Sequence, residues 1–195
     1  MSFSSNWFDK LAKDNFEHII KPAFKDKKIN YLEIGTYEGA SLLYMFNEVL
    51  THQESKATVI DPFENFNDCY NQFDIFKSNL TNYIGRTQII KGYSQLELTK
   101  LDTNSYDIIY IDGDHTSSAV LTDAILSFSL LKHNGYMVFD DYLWLHDGDH
   151  VNVSLNDVRL QHPDNPHMGI NEFLLKYKNS IEIIQSNWQM IIKKI

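Results

Sequence analysis

Acidic side chains and one histidine stand at two places where apolar runs of the sequence end. Asp112 and His115 follow one run, and Asp140 and Asp141 follow another. Carboxylates held close together disfavour joint ionisation, and a bound divalent cation is the simplest compensation. Because the expected ligand atoms are all oxygens, the pattern favours Mg²⁺ first, and Mn²⁺ or Ca²⁺ as alternatives, over zinc. We therefore predict a metal site formed by Asp112, Asp140 and Asp141.

His115 is the candidate general base of this cluster. It follows Asp112 by three residues, and an imidazole can take up a proton near neutral pH. The alternative interpretation is structural, because Asp-Asp pairs and Asp-Gly steps are common in turns and a lone histidine often caps a helix. The neighbouring acids favour the chemical interpretation, with Asp112 and His115 as the catalytic pair.

Strands alternate with helices along the chain. Short apolar runs predict buried strands at residues 31–34, 57–60, 87–90, 106–111 and 136–139. Helical spacing predicts helices at residues 40–50, 116–131 and 170–177, and a closing antiparallel hairpin is predicted at 181–184 and 189–192. This order favours an α/β fold with a Rossmann-like, doubly wound, mostly parallel sheet. Ligands of such sheets bind at the carboxyl ends of the strands, where the polar residues lie.

The length of 195 residues fits one domain. Residues 1–28 are predicted to form an N-terminal helical segment in which Pro22 marks the end of the helix. Residues 144–169 are polar and rich in His, Asp and Asn, which favours a lid over the substrate. A second metal site at Asp147, Asp149 and His150 is the disfavoured alternative for this segment.

The amino-acid composition of the chain restricts its possible binding partners and its compartment. The net charge of −9 opposes binding to a nucleic acid or to an anionic membrane surface. Cys69 is the only cysteine, so the chain has no intrachain disulfide and a reducing compartment fits best. No signal peptide or membrane span is evident. We expect a cytoplasmic protein with a small-molecule or glycan acceptor, and the sequence leaves a homodimer open.

A glycine-containing loop follows the first strand. Gly35 and Gly39 are separated by three residues, which lets a chain turn tightly from strand to helix and approach a ligand. The spacing differs from the G-x-G-x-x-G of dinucleotide sites, which disfavours an NAD enzyme. Glu33 suits a cationic amine, and Ser41 near a helix start suits a carboxylate. Together they would fit the zwitterion of an amino acid.

Asp61 lies at the exit of the second strand, where an acidic residue of a nucleotide-binding fold accepts hydrogen bonds from a ribose diol. Its alternative role is to initiate the turn at Pro62. With the glycine loop, Asp61 favours a ligand that contains adenosine.

These segments resemble the class I S-adenosylmethionine-dependent methyltransferases. Residues 32–41 resemble the first motif of that family, Asp61 matches the second, and similarity continues at residues 92–95, 106–115 and 139–142. The resemblance implies a seven-stranded sheet with an antiparallel last strand, and S-adenosyl-L-methionine as cofactor. The residues implied in cofactor binding are Glu33, Gly35, Thr36, Tyr37, Gly39, Ser41, Asp61, Pro62, Ser94, Gln95 and Asp112.

Within that family, the acids resemble those of the small metal-dependent O-methyltransferases of the catechol and macrolide-sugar types. The Asp-Gly-x-His run at 112–115 is similar to the macrolide-sugar enzymes, in which His is the proposed base, whereas catechol-type enzymes usually carry Lys. The resemblance implies metal-assisted methylation of a hydroxyl, and the polar lid favours a sugar or glycan. A phenolic or catechol acceptor is the alternative. From other classes, a non-catalytic adenosyl-nucleotide-binding module and an NAD-dependent oxidoreductase stay open.

Overall fold

The fold is built around a seven-stranded sheet. The structure is a computed structural model that describes residues 3–64, 71–146, 148 and 153–195. The strands are β1 (Asn30–Ile34), β2 (Lys56–Asp61), β3 (Thr87–Lys91), β4 (Tyr106–Ile111), β5 (Leu131–Phe139), β6 (Ile181–Ser186) and β7 (Met190–Lys194). The helices are α1 (Ala40–Glu48), α2 (Gln72–Asn79), α3 (Ser94–Glu97), α4 (Ser117–Leu130) and α5 (Pro166–Tyr177). Short 3₁₀ turns lie at Thr81–Arg86, Leu98–Lys100 and Val158–Gln161.

The strand order is β3-β2-β1-β4-β5-β7-β6. Strands β1 to β5 pair in parallel, while β7 is antiparallel to both of its neighbours. The predicted α/β fold, with an antiparallel last strand, is therefore confirmed. Chain order reverses between β1 and β4, and a ligand of this kind of sheet binds at the carboxyl side of that reversal.

Alternate side chains of the strands pack on opposite faces of the sheet. In β1, Leu32 and Ile34 contact the apolar core beneath α4 and α5, whereas Tyr31 packs on the other face. That second core also contains apolar side chains of α1 and of the N-terminal residues Phe16, Ile20 and Phe24. Glu33 shares the Tyr31 face by this alternation, so the strand brings a carboxylate into an apolar layer.

The predicted N-terminal helix is present, but Pro22 does not end it. The N-terminal helical segment comprises four consecutive turns with no break, at Phe8–Ala12, Lys13–Asn15, Phe16–Ile20 and Lys21–Phe24, of which the first and third are π-helical. Pro22 lies in the first turn of the last of these pieces, where its missing N–H costs least. In the described residues, no helix combines the length and apolar character needed to cross a membrane.

Two element boundaries differ from the predictions. Strand β5 begins at Leu131, because Leu131 pairs with Tyr106 across a register shift, so Gly135 lies within the strand and does not precede it. Helix α5 begins at Pro166, with Asn165 as its N-terminal cap position, and it therefore includes the last residues of the predicted lid. Proline is favourable at the first helical position because its missing donor would be unpaired there anyway.

Candidate active site

The carboxyl ends of β1 and β4 are in direct contact. The N–H of Asp112 donates to the carbonyl oxygen of Ile34 at 2.8 Å, and the N–H of Gly35 donates to that of Ile60 at 2.9 Å. A methyl group added to Gly35 would lie 2.0 Å from the carbonyl oxygen of Asp112. The glycine loop and the acidic cluster therefore adjoin, as the positions of the strand ends predict.

The glycines of the loop are required by packing within the protein. Gly35 and Gly39 both have positive φ, +77° and +83°. A Cβ on Gly39 would lie 2.5 Å from the side chain of Leu80. We predicted that the glycines let the backbone approach a ligand; the contacts found here are with protein atoms, and they are sufficient to require glycine.

Glu33 is fully buried and accepts hydrogen bonds from two hydroxyl groups. Tyr31 Oη donates to Oε2 at 2.6 Å, and Ser41 Oγ donates to Oε1 at 2.7 Å. Burial raises the pKa of Glu33 to about 7, against the opposing effect of these hydrogen bonds. The Ser41 hydroxyl, which we predicted to bind a ligand carboxylate, directs its proton to Glu33.

Asp61 organises the loop above it. Its Oδ2 accepts the N–H groups of Thr36 at 2.9 Å and Tyr37 at 3.0 Å, and its Oδ1 accepts the N–H of Phe63 at 2.6 Å. Pro62 between them is half-buried. These contacts agree with the interpretation of Asp61 as a residue that stabilises the turn, and its binding of a ribose stays a prediction.

Ser94 and Gln95 begin α3 at the exit of β3, and both are half-buried. The turn before them is held to β2, since the N–H of Gly92 donates to the carbonyl oxygen of Asp61 at 3.1 Å. The Ser94 side chain lies beside Asp123 of α4, and a Cβ on Gly113 would lie 3.8 Å from Asp123 Oδ2, so α3 approaches the helix that follows β4.

Asp112, His115 and Asp141 converge. His115 Nε2 lies 3.2 Å from Asp141 Oδ2 and 3.9 Å from Asp112 Oδ1. One ligand atom of each residue can be chosen so that all lie within 4.8 Å of one another. The side chains are 31%, 39% and 14% exposed for Asp112, His115 and Asp141. The cluster is therefore shielded but open to a small ligand.

Asp140 does not join this cluster. Its Oδ2 accepts the hydroxyl of Tyr110, and its Oδ1 accepts the N–H of Asp141 at 2.8 Å. Tyr110 Oη also lies 3.1 Å from Asp112 Oδ2. The residues that the structure brings together are thus Asp112, Asp141 and His115, whereas the sequence predicted Asp112, Asp140 and Asp141 with His115 beside them.

The acids at this edge of the sheet have raised pKa values. Burial, followed by the charges of Asp140 and Asp141, raises the pKa of Asp112 well above its ordinary value. Burial also raises the pKa values of Asp140 and Asp141 to about 7 each. Burial lowers the pKa of His115, so the imidazole stays neutral near pH 7. A carboxylate-rich, shielded set with a neutral imidazole fits a divalent cation, which would relieve this repulsion.

The analysis of the sequence missed Tyr110 and Trp188. Tyr110 lies two residues before Asp112 on β4, and this period-2 spacing places both on one side of the strand, so the signal was present. Trp188 lies on the turn before β7, and the proximity of its side chain lowers the pKa of Asp141. No local pattern links Trp188 to the acids.

Among the described residues of the predicted lid, those near its start contact those near its end. The N–H of His146 donates to Asn165 Oδ1 at 2.7 Å, and the rings of His146 and His162 stack at 5.8 Å. His167 is buried and stacks on Tyr142 at 4.4 Å, so it belongs to the packed interior. The predicted second metal site at Asp147, Asp149 and His150 lies outside the described residues.

Trp144 connects the lid to the cluster. Its ring meets that of His115 edge-on at 5.4 Å between centroids. The lid therefore begins against the candidate base.

Among curated proteins, the chain is 37% identical over 130 residues to "Uncharacterized protein R132" of Acanthamoeba polyphaga mimivirus. The match covers 61% of this chain and 54% of that protein, so the chain spans about half the length of this relative.

Solved structures share the fold at low sequence identity. A proposed caffeoyl-CoA O-methyltransferase of Staphylococcus aureus has a TM-score of 0.61 at 22% identity, covering 99% of this chain and 85% of that one. A proposed rRNA methylase of Clostridium thermocellum has a TM-score of 0.66 at 15% identity, covering 95% and 98%. An O-methyltransferase of Bacillus cereus in complex with SAH has a TM-score of 0.57 at 19% identity, covering 85% and 74%.

The decisive match is to a protein family. The family model described as a methyltransferase domain matches residues 32–142. That range begins in β1 and includes the glycine loop, Asp61 and the whole acidic cluster, which is more than half of the 195 residues. The chain therefore belongs to the methyltransferase-domain family.

Proposed function

We propose that this protein is an S-adenosylmethionine-dependent O-methyltransferase that uses a divalent cation and acts on a hydroxyl group of a sugar or glycan. One observation carries the proposal. Asp112 contacts the glycine loop through its backbone and faces His115 and Asp141 through its side chain. One residue thus joins the proposed cofactor site to the proposed metal site.

The cofactor half of the site is prepared by hydrogen bonds. Asp61 fixes the loop amides of Thr36 and Tyr37, and Glu33 is held by Tyr31 and Ser41. This leaves the loop in one conformation before a ligand arrives, which lowers the entropy cost of binding. The SAH-bound Bacillus cereus structure supports an adenosyl ligand for this fold.

His115 would act as the base. A bound S-adenosylmethionine would supply the methyl group, and a bound Mg²⁺ would lower the pKa of the acceptor hydroxyl. Because burial lowers the pKa of His115, its imidazole is free of a proton near pH 7 and can accept the one that the hydroxyl loses. Asp141, 3.2 Å from Nε2, stabilises the imidazolium that results.

The proposed methyl acceptor follows from the chemical groups that surround the site. The lid carries exposed imidazole groups at His146 and His162, which suit the hydroxyls of a sugar. A phenolic acceptor is the second candidate, because the chain resembles a proposed caffeoyl-CoA O-methyltransferase and Trp144 offers an aromatic surface beside His115. The net charge of −9 disfavours an RNA acceptor in spite of the likeness to a proposed rRNA methylase.

The test is methyl transfer from labelled S-adenosylmethionine to a panel of glycans and phenols, with Mg²⁺ or with chelator. We expect product only with the metal, and His115→Ala to reduce turnover about 10²- to 10⁴-fold without changing cofactor affinity in calorimetry. The matched control is His133→Ala, since His133 is exposed at the start of β5 and should leave turnover unchanged. Full activity in chelator would refute the metal, and cofactor binding without any product would favour a non-catalytic module.

A further inference from the structure

The turn between β6 and β7 lies directly behind Asp141. The N–H of Tyr142 donates to the carbonyl oxygen of Trp188 at 2.9 Å, and the Trp188 side chain lies near enough to Asp141 to lower the pKa of that acid. Asp141 itself has a φ of +56°, a left-handed conformation that persists only where surrounding contacts hold it. The place of the Asp141 carboxylate therefore depends on the place of Trp188.

Asn15 of the N-terminal helical segment holds the same turn from its other side. Asn15 Nδ2 donates to Asn187 Oδ1 and to Gln189 Oε1, both at 2.9 Å, and Asn187 Nδ2 donates back to Asn15 Oδ1 at 3.1 Å. The turn is closed on itself as well, because the N–H of Gln189 donates to Asn187 Oδ1 at 3.0 Å. The two residues that flank Trp188 are thus both fixed by Asn15.

The contact between Asn15 and Gln189 is buried, so bulk water cannot replace it. Asn15 is 4% exposed and Gln189 is fully buried. Removal of the Asn15 side chain would leave the side-chain oxygen Oε1 of Gln189 without this donor, and an unpaired buried acceptor is unfavourable. The turn would be expected to move to find another partner, and Trp188 would move with it.

We propose that Asn15 is a positioning residue that, through the turn at residues 187–189, holds the Asp141 carboxylate beside His115. Asn15 and the turn both lie outside the range that the family model matches, which is 32–142. The assignment of Asp141 to a metal rests on the proposed function, whereas the contact between the turn and Asp141 does not. The neighbouring Phe16 meets Tyr110 edge-on at 5.1 Å, so the same segment also packs on the strand that carries Asp112.

The test compares Asn15→Ala with Glu17→Gln in the full chain. Glu17 stabilises the same segment through hydrogen bonds from Lys21 at 2.6 Å and Tyr44 at 2.5 Å, and neither of these partners lies in the turn at residues 187–189. The first readout is the hydrogen-exchange rate of the Tyr142 amide, with Ile109 in β4 as an internal reference. The second is the affinity for Mn²⁺ alone, measured by calorimetry, beside the affinity for S-adenosylmethionine.

In Asn15→Ala we expect Tyr142 exchange to accelerate about tenfold and Mn²⁺ affinity to fall about 10- to 100-fold, with cofactor affinity unchanged. Glu17→Gln should leave all of these near the wild-type values. Unchanged exchange in Asn15→Ala, or equal acceleration in Glu17→Gln, would overturn the proposal.

Two further outcomes separate the inference from the proposed function. If the wild-type protein binds no Mn²⁺, the metal site fails, and Tyr142 exchange still decides the role of Asn15. If Asn15→Ala does not fold, Asn187→Ala at the half-buried end of the same contacts replaces it, with the same expected changes and the same refuting result.

Discussion

Two groups of carboxylates lie at the carboxyl edge of the sheet, and they are stabilised in opposite ways. Glu33 and Asp61 are each satisfied by the chain, through two hydroxyl groups and three backbone N–H groups respectively. Burial raises the pKa values of Asp112, Asp140 and Asp141, and the charge of Asp141 adds to this effect at Asp112 and Asp140. Each carboxylate oxygen of the first group accepts a hydrogen bond from the chain, whereas Oδ1 of Asp112 and Oδ2 of Asp141 face His115. A structural half and a reactive half can thus be told apart by their hydrogen-bond partners.

The largest expected effect is that of Gly35→Ala, because Gly35 lies where the two halves of the site are in contact. The new Cβ would lie 2.0 Å from the Asp112 carbonyl oxygen at a φ of +77°, so we expect a loss of about 3–5 kcal/mol in the free energy of unfolding. Gly85→Ala is the control, because a Cβ there meets nothing within 4 Å. Urea denaturation measures both, and a similar small loss in each variant would contradict the close contact between β1 and β4.

The next effect concerns pH and separates the two halves directly. An acid whose pKa is higher in the folded protein contributes stability that is present below its ordinary pKa and is lost as pH rises through the folded value. For Asp141 the folded pKa is about 7, so metal-free protein should be less stable at pH 8 than at pH 5. We expect Asp141→Asn to recover about 2 kcal/mol at pH 8 and little at pH 5. Asparagine also tolerates the left-handed conformation of this position.

Thermal or urea unfolding at the two pH values measures the difference. Asp102→Asn is the control, since Asp102 is exposed before the start of β4. Added Mn²⁺ should stabilise the wild-type protein at pH 8 by up to about 2.7 kcal/mol at a hundredfold excess over Kd, and should lose this effect in Asp141→Asn. A wild-type stability that rises from pH 5 to pH 8 without metal would contradict the charge crowding.

The smallest effect comes from matched Tyr→Phe changes in the two halves. Tyr31→Phe removes a hydroxyl that donates to Glu33, and Tyr110→Phe removes one that contacts Asp112 and Asp140. Each should lower the free energy of unfolding by about 1–2 kcal/mol. Calorimetry should show weaker S-adenosylmethionine binding only in Tyr31→Phe and weaker Mn²⁺ binding only in Tyr110→Phe. Equal loss of both ligands in both variants would mean that the halves are not separate.

Much of the fold could be predicted because buried parallel strands are short apolar runs that end in turn residues. All of the predicted strands are present, and the acids lie at strand ends that adjoin. The start of β5 could not be predicted, since Leu131 joins the sheet only by pairing with Tyr106 across a register shift. The start of α5 was also missed, because Pro166 was not recognised as a first helical residue.

The choice between Asp140 and Asp141 was decided by tertiary structure. Sequence alone places both at the exit of β5, because the apolar run before them ends there. Beyond the last strand residue the alternation of side chains no longer applies, so their directions depend on contacts with distant parts of the chain. The Tyr110 hydroxyl donates a hydrogen bond to Asp140. Asp141 is directed to His115 by the turn at Trp188 and by its own left-handed φ of +56°. The local sequence pattern thus predicted which acids lie at the strand ends. Long-range hydrogen bonds decided which of the two acids after β5 lies beside His115.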